Sequence, residues 1–314
     1  MASLQEIKRR IKSVTSTSQI TKAMELVSAT KMRKSQETAL RSRPYAIEAL
    51  RILAEMTHRT AYKPALMTER AVKTTAVVLV ASDRGLAGAF NSNVFRAFET
   101  KLNHVLNGEG KYTFIAVGRK AEEYLGRKGV HIERSYKDFG DYIEMDETKP
   151  LSELLIQGFL EYRWDKVVVV STHFRTTLKQ DVVVREVLPV HARKVRDTVR
   201  ELVPAYGRFS EIGHGLPGTG IARGFKEDFE YLIEPDPQTV LDALAPELVK
   251  IAIHDLVLEA NASEHSARMV AMKNASENAG ELKEGLNLEY NKSRQAGITR
   301  EISEIVAGAE ALNS

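Results

Sequence analysis

The sequence predicts an α/β fold with a long antiparallel α-helical coiled coil, in which a Rossmann-like head domain lies between N- and C-terminal helices. Apolar residues recur at helical spacing over residues 4–56 and again over residues 251–312. Between these segments, short apolar runs of strand length alternate with helical patterns. That alternation is typical of a parallel sheet whose two faces are covered by helices.

The first predicted segment is a coiled-coil helix over residues 1–60. Ser3 and Glu6 have the spacing of a capping box, which would satisfy free amide groups at the start of the helix. Pro44 interrupts the pattern, and because Pro inside a helix costs about 3 kcal/mol, it predicts either a kink or two consecutive helices. The apolar stripe consists of Leu4, Ile7, Ile11, Val14, Ile20, Met24, Val27, Ala46, Leu50, Leu53 and Met56.

The head is predicted over residues 70–203, followed by a Gly- and Pro-containing loop and linker over residues 204–235. Strands and helices alternate through the head, which predicts a doubly wound unit with a parallel sheet and one added edge strand. The predicted strands are residues 76–81, 113–117, 167–171 and the edge strand 180–188, and the predicted helices are residues 93–106, 120–125 and 151–162.

The last predicted segment is a coiled-coil helix over residues 236–314. Asp236 is a suitable N-cap with Pro237 in the first turn, and Pro246 predicts a second bend or restart. The apolar stripe consists of Ile251, Leu256, Met269, Met272, Leu282 and Leu286, followed by Ile298, Ile302, Ile305, Ala309 and Leu312 at coiled-coil spacing.

Two such helices must cover each other's apolar stripes. At about 1.5 Å per residue, the first would be about 85 Å long and the second over about 100 Å, too long to fold into one compact core. An antiparallel two-stranded coiled coil is favoured over an ordinary helical bundle, because no third and fourth long helices are present to complete a bundle. Residues 15–18 and 291–295 are polar where the stripes should meet, so either the pair is strained there or a surrounding protein supplies contacts.

The charge of the first helix favours a surrounding protein. Residues 1–59 contain twelve Lys or Arg against five Glu, whereas the whole chain has a formal net charge of only +3. A basic helix favours an acidic or polar partner surface.

Candidate catalytic and cofactor sites are weak. The turn at residues 83–88 follows the first strand but lacks G-x-G-x-x-G spacing, so a tight turn is favoured over a nucleotide site. Residues 108–111 resemble the end of a P-loop but continue into Tyr112, where Ser or Thr is required. We therefore expect no catalytic residue and no cofactor.

Metal and redox chemistry are also not expected. His254 and His265 are eleven residues apart, or about 16 Å along a helix, and solvated histidines are expected there. The chain has no cysteine, which rules out a disulfide or thiolate site and suits a reducing compartment. Since no signal sequence and no apolar run near eighteen residues is found, we expect a soluble chain that does not span a membrane.

Several segments resemble one family closely: LQEIKRRIKSV at residues 4–14, ITKAMELVSATKMRKSQ at 20–36, DRGLAGAFN at 83–91 and LNLEYNKSRQAGITREISEIVAGAEAL at 286–312. The sequence is similar to the gamma subunits of F-type rotary ATP synthases. The resemblance covers essentially both terminal helices and the first strand and turn of the head. One departure is Ala87, where the family often has Cys, so no thiol function is expected at this turn.

The resemblance implies a central-stalk rotor subunit that couples ion flow through the membrane rotor ring to conformational cycling of the catalytic beta subunits. It implies a chain that is non-catalytic by itself. The implied partners are the alpha and beta subunits of the catalytic ring, the epsilon subunit and the membrane rotor ring. The implied location is peripheral, on the cytoplasmic face of a bacterial energy-transducing membrane, with a mature mitochondrial form less favoured.

The resemblance also implies particular contact residues, for which plain solvated helix surface is the alternative. Beta-subunit contacts are implied for Lys22, Met24, Arg294, Gln295 and Thr299. An apolar tip that turns in a bearing at the top of the ring is implied for Ile298, Ile302, Ile305 and Leu312.

The residues leave two other classes of protein as alternatives. A nucleotide-dependent enzyme would use the head, and a nucleic-acid-binding protein would use the basic N-terminal helix with a steep salt dependence. Neither class is favoured, and no nucleic-acid partner is expected.

Overall fold

The computed structural model describes residues 4–60, 62–106, 110–140, 142–191 and 233–313. The helices in this part of the chain are α1 (Leu4–Arg59), α2 (Phe90–Leu106), α3 (Arg119–Arg127), α4 (Met145–Leu160) and α5 (Pro237–Asn313), with a 3-10 turn at Ala65–Met67. The strands are β1 (Thr74–Val80), β2 (Lys111–Val117), β3 (Ile132–Tyr136), β4 (Lys166–Phe174) and β5 (Gln180–Leu188). The long helices at both ends and the α/β centre confirm the predicted fold class.

The five strands form one sheet in the order β3-β2-β1-β4-β5. All neighbouring pairs are parallel except β4 and β5, which are antiparallel, so β5 is the edge strand that the sequence predicted. β1 lies at the centre, with the chain crossing first to one side of it and then to the other. Successive side chains of β1 point to opposite faces of the sheet, as in any β-strand.

Each face of the sheet has its own apolar core. Val77 and Leu79 of β1 pack on one face with Phe98 of α2 and Leu125 of α3. The other face is covered by α4 and by parts of the terminal helices. The large buried side chains of this second core include Leu53 of α1, Leu151, Leu155 and Phe159 of α4, and Leu241 and Ile253 of α5.

Contacts divide the chain into two compact units. Residues 31–267 form one, called here the head unit, and residues 1–30 with 268–314 form the other, called here the helical pair. The head unit takes in the second part of α1 and the first part of α5 because their apolar faces are buried in its core. The predicted domain limits of 1–60, 70–203, 204–235 and 236–314 follow the predicted helix ends and stay a prediction.

Helix ends and interruptions agree only in part with the sequence. Asp236 caps α5 as predicted, since its Oδ1 accepts the N–H groups of Gln238 and Thr239 at 3.0 Å each. α1 runs through Pro44 and α5 through Pro246 as single helices, so of the predicted alternatives the second helix and the restart are excluded, while a kink or bend stays a prediction. Buried residues on either side of each Pro hold the helix in place, among them Ala39 and Ala49 in α1 and Leu241 and Leu248 in α5. Ser3 of the predicted capping box lies outside the described residues.

Candidate functional site

The turn after β1 is held by its own side chains. Ser82 donates its N–H to Oδ1 of Asn91 at 3.1 Å and its Oγ–H to the carbonyl of Arg84 at 2.7 Å. Asp83 accepts the N–H of Arg119, the first residue of α3, at 2.8 Å. The Asp83 carboxylate therefore occupies the helix N-terminus at which an anionic ligand would bind.

The backbone leaves little room beside this turn. Gly118 precedes α3 with φ of 91°, and a Cβ added there would collide with the carbonyl of Ala81. The glycine is required for this close approach between the ends of β1 and β2. These contacts match the tight turn that the sequence favoured.

α5 contacts the last residues of β4, close to the place where doubly wound sheets usually bind ligands. Such sheets bind ligands beyond the carboxyl ends of the strands, where the strand order reverses, which is between β1 and β4 in this sheet. β4 continues past the end of β1, and α5 packs on its last residues. His173 Nδ1 lies 2.7 Å from Glu259 Oε2, with only 4% and 6% of the two side chains exposed. Ser263 Oγ lies 3.5 Å from the carbonyl oxygen of Thr172.

The helix histidines differ from the sequence expectation. His254 and His265 are buried rather than solvated, so that interpretation is wrong. The reason is that α5 is enclosed on nearly every side around these residues. His254 Nδ1 lies 3.1 Å from Thr148 Oγ1, and burial lowers the pKa of His254, opposed by the charge of Glu147. Among the described residues, no group of three or more His, Cys, Asp or Glu side chains is placed to hold a metal ion.

The two helices of the helical pair meet along a heptad seam. Ser276 Oγ donates to the carbonyl of Ser18 at 3.3 Å. The buried or half-buried positions of both helices advance in alternating steps of three and four, the spacing of a coiled coil. In α1 these positions include Leu4, Ile7, Ile11, Val14, Ser18, Thr21, Glu25 and Ser28, and in α5 they include Met272, Ser276, Ala279, Lys283, Leu286 and Tyr290.

This seam is narrow and partly polar. Thr21 and Ser28 are buried in it, and the Thr21 hydroxyl donates back to the carbonyl of Thr17 at 2.9 Å. Several large apolar side chains instead lie on the outside of the pair, namely Ile20, Leu26, Val27, Leu282 and Leu288, all more than half exposed. The helical pair therefore buries only part of its own apolar surface.

The residues implied as beta-subunit contacts lie on the surface of the helical pair. Lys22 is exposed, with its Nζ 2.9 Å from Glu25 Oε2, and Met24 is half-buried. Arg294, Gln295 and Thr299 are exposed on α5. Ser18 lies opposite Ser276, and the two helices run in opposite directions, so Lys22 is level with about residue 272 of α5. Arg294 lies about 30 Å farther along the helix axis. The structure thus places these residues at two separate levels instead of one cluster.

The implied tip is exposed. Ile298, Ile302 and Ile305 are 49%, 56% and 71% exposed, and the side chain of Leu312 lies outside the described part. By the same register, the first described residue of α1, Leu4, lies level with about residue 290 of α5. Among the described residues, the stretch of α5 that follows has no part of α1 beside it.

Comparison with known proteins identifies the family. A family model described as ATP synthase matches residues 3–312. The chain is 41% identical to the ATP synthase gamma chain of Opitutus terrae, with 98% of each chain covered. It is 39% identical to the ATP synthase gamma chain of Herpetosiphon aurantiacus, with both chains covered completely. The chain belongs to the ATP synthase gamma chain family.

Solved structures of this family's fold are similar along most of the chain. A chain of the Euglena gracilis mitochondrial ATP synthase, from an assembly of OSCP, F1 and c-ring, has a TM-score of 0.62 at 19% identity and covers 98% of this chain and 94% of its own. A chain of the Tetrahymena thermophila mitochondrial ATP synthase central stalk and c-ring has a TM-score of 0.56 at 23% identity, with 82% and 99% covered. At these identities the likeness shows the fold.

Family membership assigns the chain to the rotating central stalk of the F1 complex, which is membrane-associated in bacteria. It is thus a subunit of an ATP synthase. Within the described residues, no helix is both long enough and apolar enough to cross a membrane.

Sequence reasoning missed the polar contacts between α5 and the end of β4. Glu259, Ser263 and Ser266 follow one another in steps of four and three on α5, in a stretch that also contains the buried polar residues His254, Asp255, His265 and Arg268. This spacing places them on one face, so a polar line on a buried helix was the available signal. His173 could not be recognised in the same way, because a single histidine near the end of a strand forms no pattern with its neighbours in the sequence.

Proposed function

We propose that this chain is a non-catalytic rotor shaft that couples ion flow through a membrane rotor ring to conformational cycling of catalytic beta subunits. The observation that supports this most is the helical pair, which holds itself together by a narrow, partly polar seam and leaves large apolar side chains outside. Exposed apolar residues along such a pair favour a protein surround. A ring of alpha and beta subunits is that surround.

The head supports a role without catalysis. The Asp83 carboxylate accepts the N–H at the start of α3, and Glu259 and Ser263 of α5 contact the last residues of β4. A chain that binds no nucleotide can still drive nucleotide chemistry in its partners, if each of its orientations favours a different state of the partner. The chain then acts through the asymmetric shape of its shaft and needs no catalytic residue of its own.

The energy that passes through the shaft is large. Moving one charge across about 100 mV is worth about 2.3 kcal/mol, so several ions per synthesis step deliver on the order of 10 kcal/mol. This amount equals the whole stability of many domains, about 5–15 kcal/mol. A shaft that carries it must be supported where torque enters and leaves.

We assign partners to three regions. The alpha and beta subunits surround the helical pair, while the epsilon subunit and the membrane rotor ring bind the head. The Euglena and Tetrahymena chains with this fold come from assemblies that include a c-ring, which supports this assignment. The chain is then a peripheral protein on the cytoplasmic face of a bacterial membrane, in agreement with the bacterial sources of the gamma chains to which it is similar.

Contacts with the ring follow from exposure and charge. Lys22 and Met24 contact an acidic, moving segment of a beta subunit, and Arg294, Gln295 and Thr299 contact beta-subunit loops. Lys22, Arg294, Gln295 and Thr299 are exposed and polar, as such contacts require. The exposed residues Ile298, Ile302 and Ile305, together with Leu312, turn in an apolar bearing at the end of the ring.

Cross-linking tests this proposal directly, because the chain has no cysteine of its own. Lys22→Cys in the assembled complex, combined with a cysteine in the acidic segment of the beta subunit, should form a disulfide that stops ATP hydrolysis until a reductant is added. Lys179→Cys is the matched control, since Lys179 is an exposed lysine of the head unit and should leave hydrolysis unchanged. A cross-linked complex that hydrolyses ATP at the full rate would contradict the rotor role.

A further inference from the structure

α5 is almost completely enclosed where it passes the sheet. From residue 253 to residue 266 only positions 261 and 264 escape full burial. A helix that is buried all round is normally apolar all round. This one instead carries Glu259, Ser263 and Ser266 on the face that meets the end of β4.

These three side chains bind successive parts of the head. Glu259 pairs with the ring of His173 at 2.7 Å, and Ser263 reaches the carbonyl of Thr172 at 3.5 Å. Ser266 donates to the carbonyl of Thr177 at 2.8 Å, in the turn between β4 and β5. Gln180 of β5 adds a contact from its Nε2 to Ser266 Oγ at 3.4 Å. The contacts therefore follow the helix for two turns along one strand end.

Stability alone is a weak explanation for the central pair of Glu259 and His173. Burying a carboxylate and an imidazole costs desolvation energy that their attraction often only repays, and apolar residues of similar size are commonly as stable or more stable. The best-attested use of such a buried polar group is to fix one register of a helix against its partners. Here the register in question is the rotation of α5 about its own axis.

We propose that the contacts of Glu259, Ser263 and Ser266 with His173, Thr172 and Thr177 lock α5 against rotation about its own axis relative to the sheet, so that torque passes between head and helix without slip. These are positioning residues, and the inference rests on the rotor function proposed above. Apolar packing also opposes rotation of the helix, but it is less directional than a hydrogen bond and so tolerates a small rotation more easily. Hydrogen bonds weaken steeply when their distance and angle change, so they resist this motion from its start.

The double variant His173→Leu/Glu259→Leu tests the lock without leaving a buried charge unpaired. It makes both positions apolar and keeps them filled, so the thermal stability of the purified chain should stay close to that of the unchanged chain or rise. Membranes that carry the variant complex should retain ATP hydrolysis. They should lose part of their ATP-driven proton pumping against a gradient, because α5 then twists further under load before the head turns.

Two further variants keep the result specific. Glu259→Gln keeps an acceptor for the His173 ring, so it should restore most of the lost pumping. Asp165→Asn removes a buried carboxylate that pairs with Arg70 at the opposite end of β4 from His173, and it should leave pumping per ATP unchanged even if it destabilises the head.

The outcomes separate the two proposals. If unchanged complexes do not pump protons when they hydrolyse ATP, the rotor function itself fails. If unchanged complexes pump and the stable double variant pumps equally well per ATP, the rotor function stands and the lock is overturned. If Asp165→Asn loses pumping to the same extent as the double variant, the effect is general destabilisation, and the lock is again overturned.

Discussion

The head unit and the helical pair are stabilised in different ways, although both contain parts of α1 and α5. The head unit buries large side chains on both faces of its sheet, including Trp164 and Phe159 on one face and Leu125 on the other, each at most 1% exposed. The helical pair buries Ile7 and Met272 but fills other seam positions with Ser and Thr. The difference indicates that the head unit carries its own stability, whereas the helical pair depends on what surrounds it.

A matched pair of leucine truncations tests this contrast with the largest expected effect. Leu151→Ala removes a fully buried side chain from the head core and should lower the free energy of unfolding by about 3–5 kcal/mol. Leu288→Ala, at a position 73% exposed, should change it by less than about 0.5 kcal/mol in the purified chain. Urea unfolding followed by fluorescence of Trp164, the only tryptophan, measures both. Equal losses would show that the two regions are not differently packed.

The Arg70–Asp165 pair tests the polar part of the head. Asp165 accepts the N–H groups of Lys73 and Thr74 at 2.9 and 3.0 Å and lies 2.8 Å from Arg70 Nε. Burial alone would raise the pKa of Asp165, but these donors and the Arg70 charge together lower it. Asp165→Asn should cost about 2 kcal/mol at neutral pH, since hydrogen bonds to a charged group are worth about 1.5–3 kcal/mol.

The sign of the pH dependence follows from the lowered pKa of Asp165. The unfolded carboxyl binds a proton near pH 3.9, before the folded one does, so the stabilisation is complete above that pH and is lost as pH falls further. The difference in unfolding free energy between the unchanged chain and Asp165→Asn should therefore shrink below about pH 4. A difference that stays constant down to pH 3 would argue against an ionised Asp165 as the cause.

A smaller effect is expected in the seam of the helical pair. Thr21 is buried but satisfies its hydroxyl only within α1, through Thr17 and Ser18. Thr21→Val keeps the shape and removes the hydroxyl, so it should stabilise the pair by about 0.5 kcal/mol. Amide hydrogen exchange of residues 4–30 should slow accordingly. Faster exchange would show that the hydroxyl supports the seam.

The smallest effect is expected for a surface ion pair. Arg10 Nη2 lies 3.3 Å from Glu6 Oε1 on the exposed face of α1. Glu6→Gln should change the stability of the purified chain by no more than about 0.5 kcal/mol, because water screens such pairs. The same urea titration measures this change. A decrease in the free energy of unfolding of more than about 1 kcal/mol would mean that surface charge contributes more to the stability of the helical pair than its seam does.

Much of the fold was readable from the sequence because burial leaves regular patterns. The edge strand was predicted at residues 180–188 and is observed there, and the first strand was displaced by only one or two residues. β3 was missed because Glu, Arg and Ser make up the middle of its five residues. α4 was predicted from residue 151 but begins at Met145, where Glu144 and Glu147 form a capping box ahead of Pro150.

The site was less predictable than the fold. Helical periodicity predicts that Lys22, Arg294 and Ile298 are exposed. It does not predict how far apart they lie along the helical pair, because that distance depends on which residues of α1 and α5 are side by side, as the contact between Ser18 and Ser276 shows. The burial of His254 and His265 depends on which other elements pack around α5, and periodicity along one helix does not contain that information.

Observation of rotation in single assembled complexes tests the central claim most directly. A bead attached to Lys179→Cys in the exposed turn between β4 and β5 reports the angle of the head, while the catalytic ring is fixed to a surface. The bead should turn in one direction when ATP is added and stop when the Lys22→Cys cross-link to a beta subunit is formed. Steady ATP hydrolysis with a bead that shows no directed rotation would contradict the account.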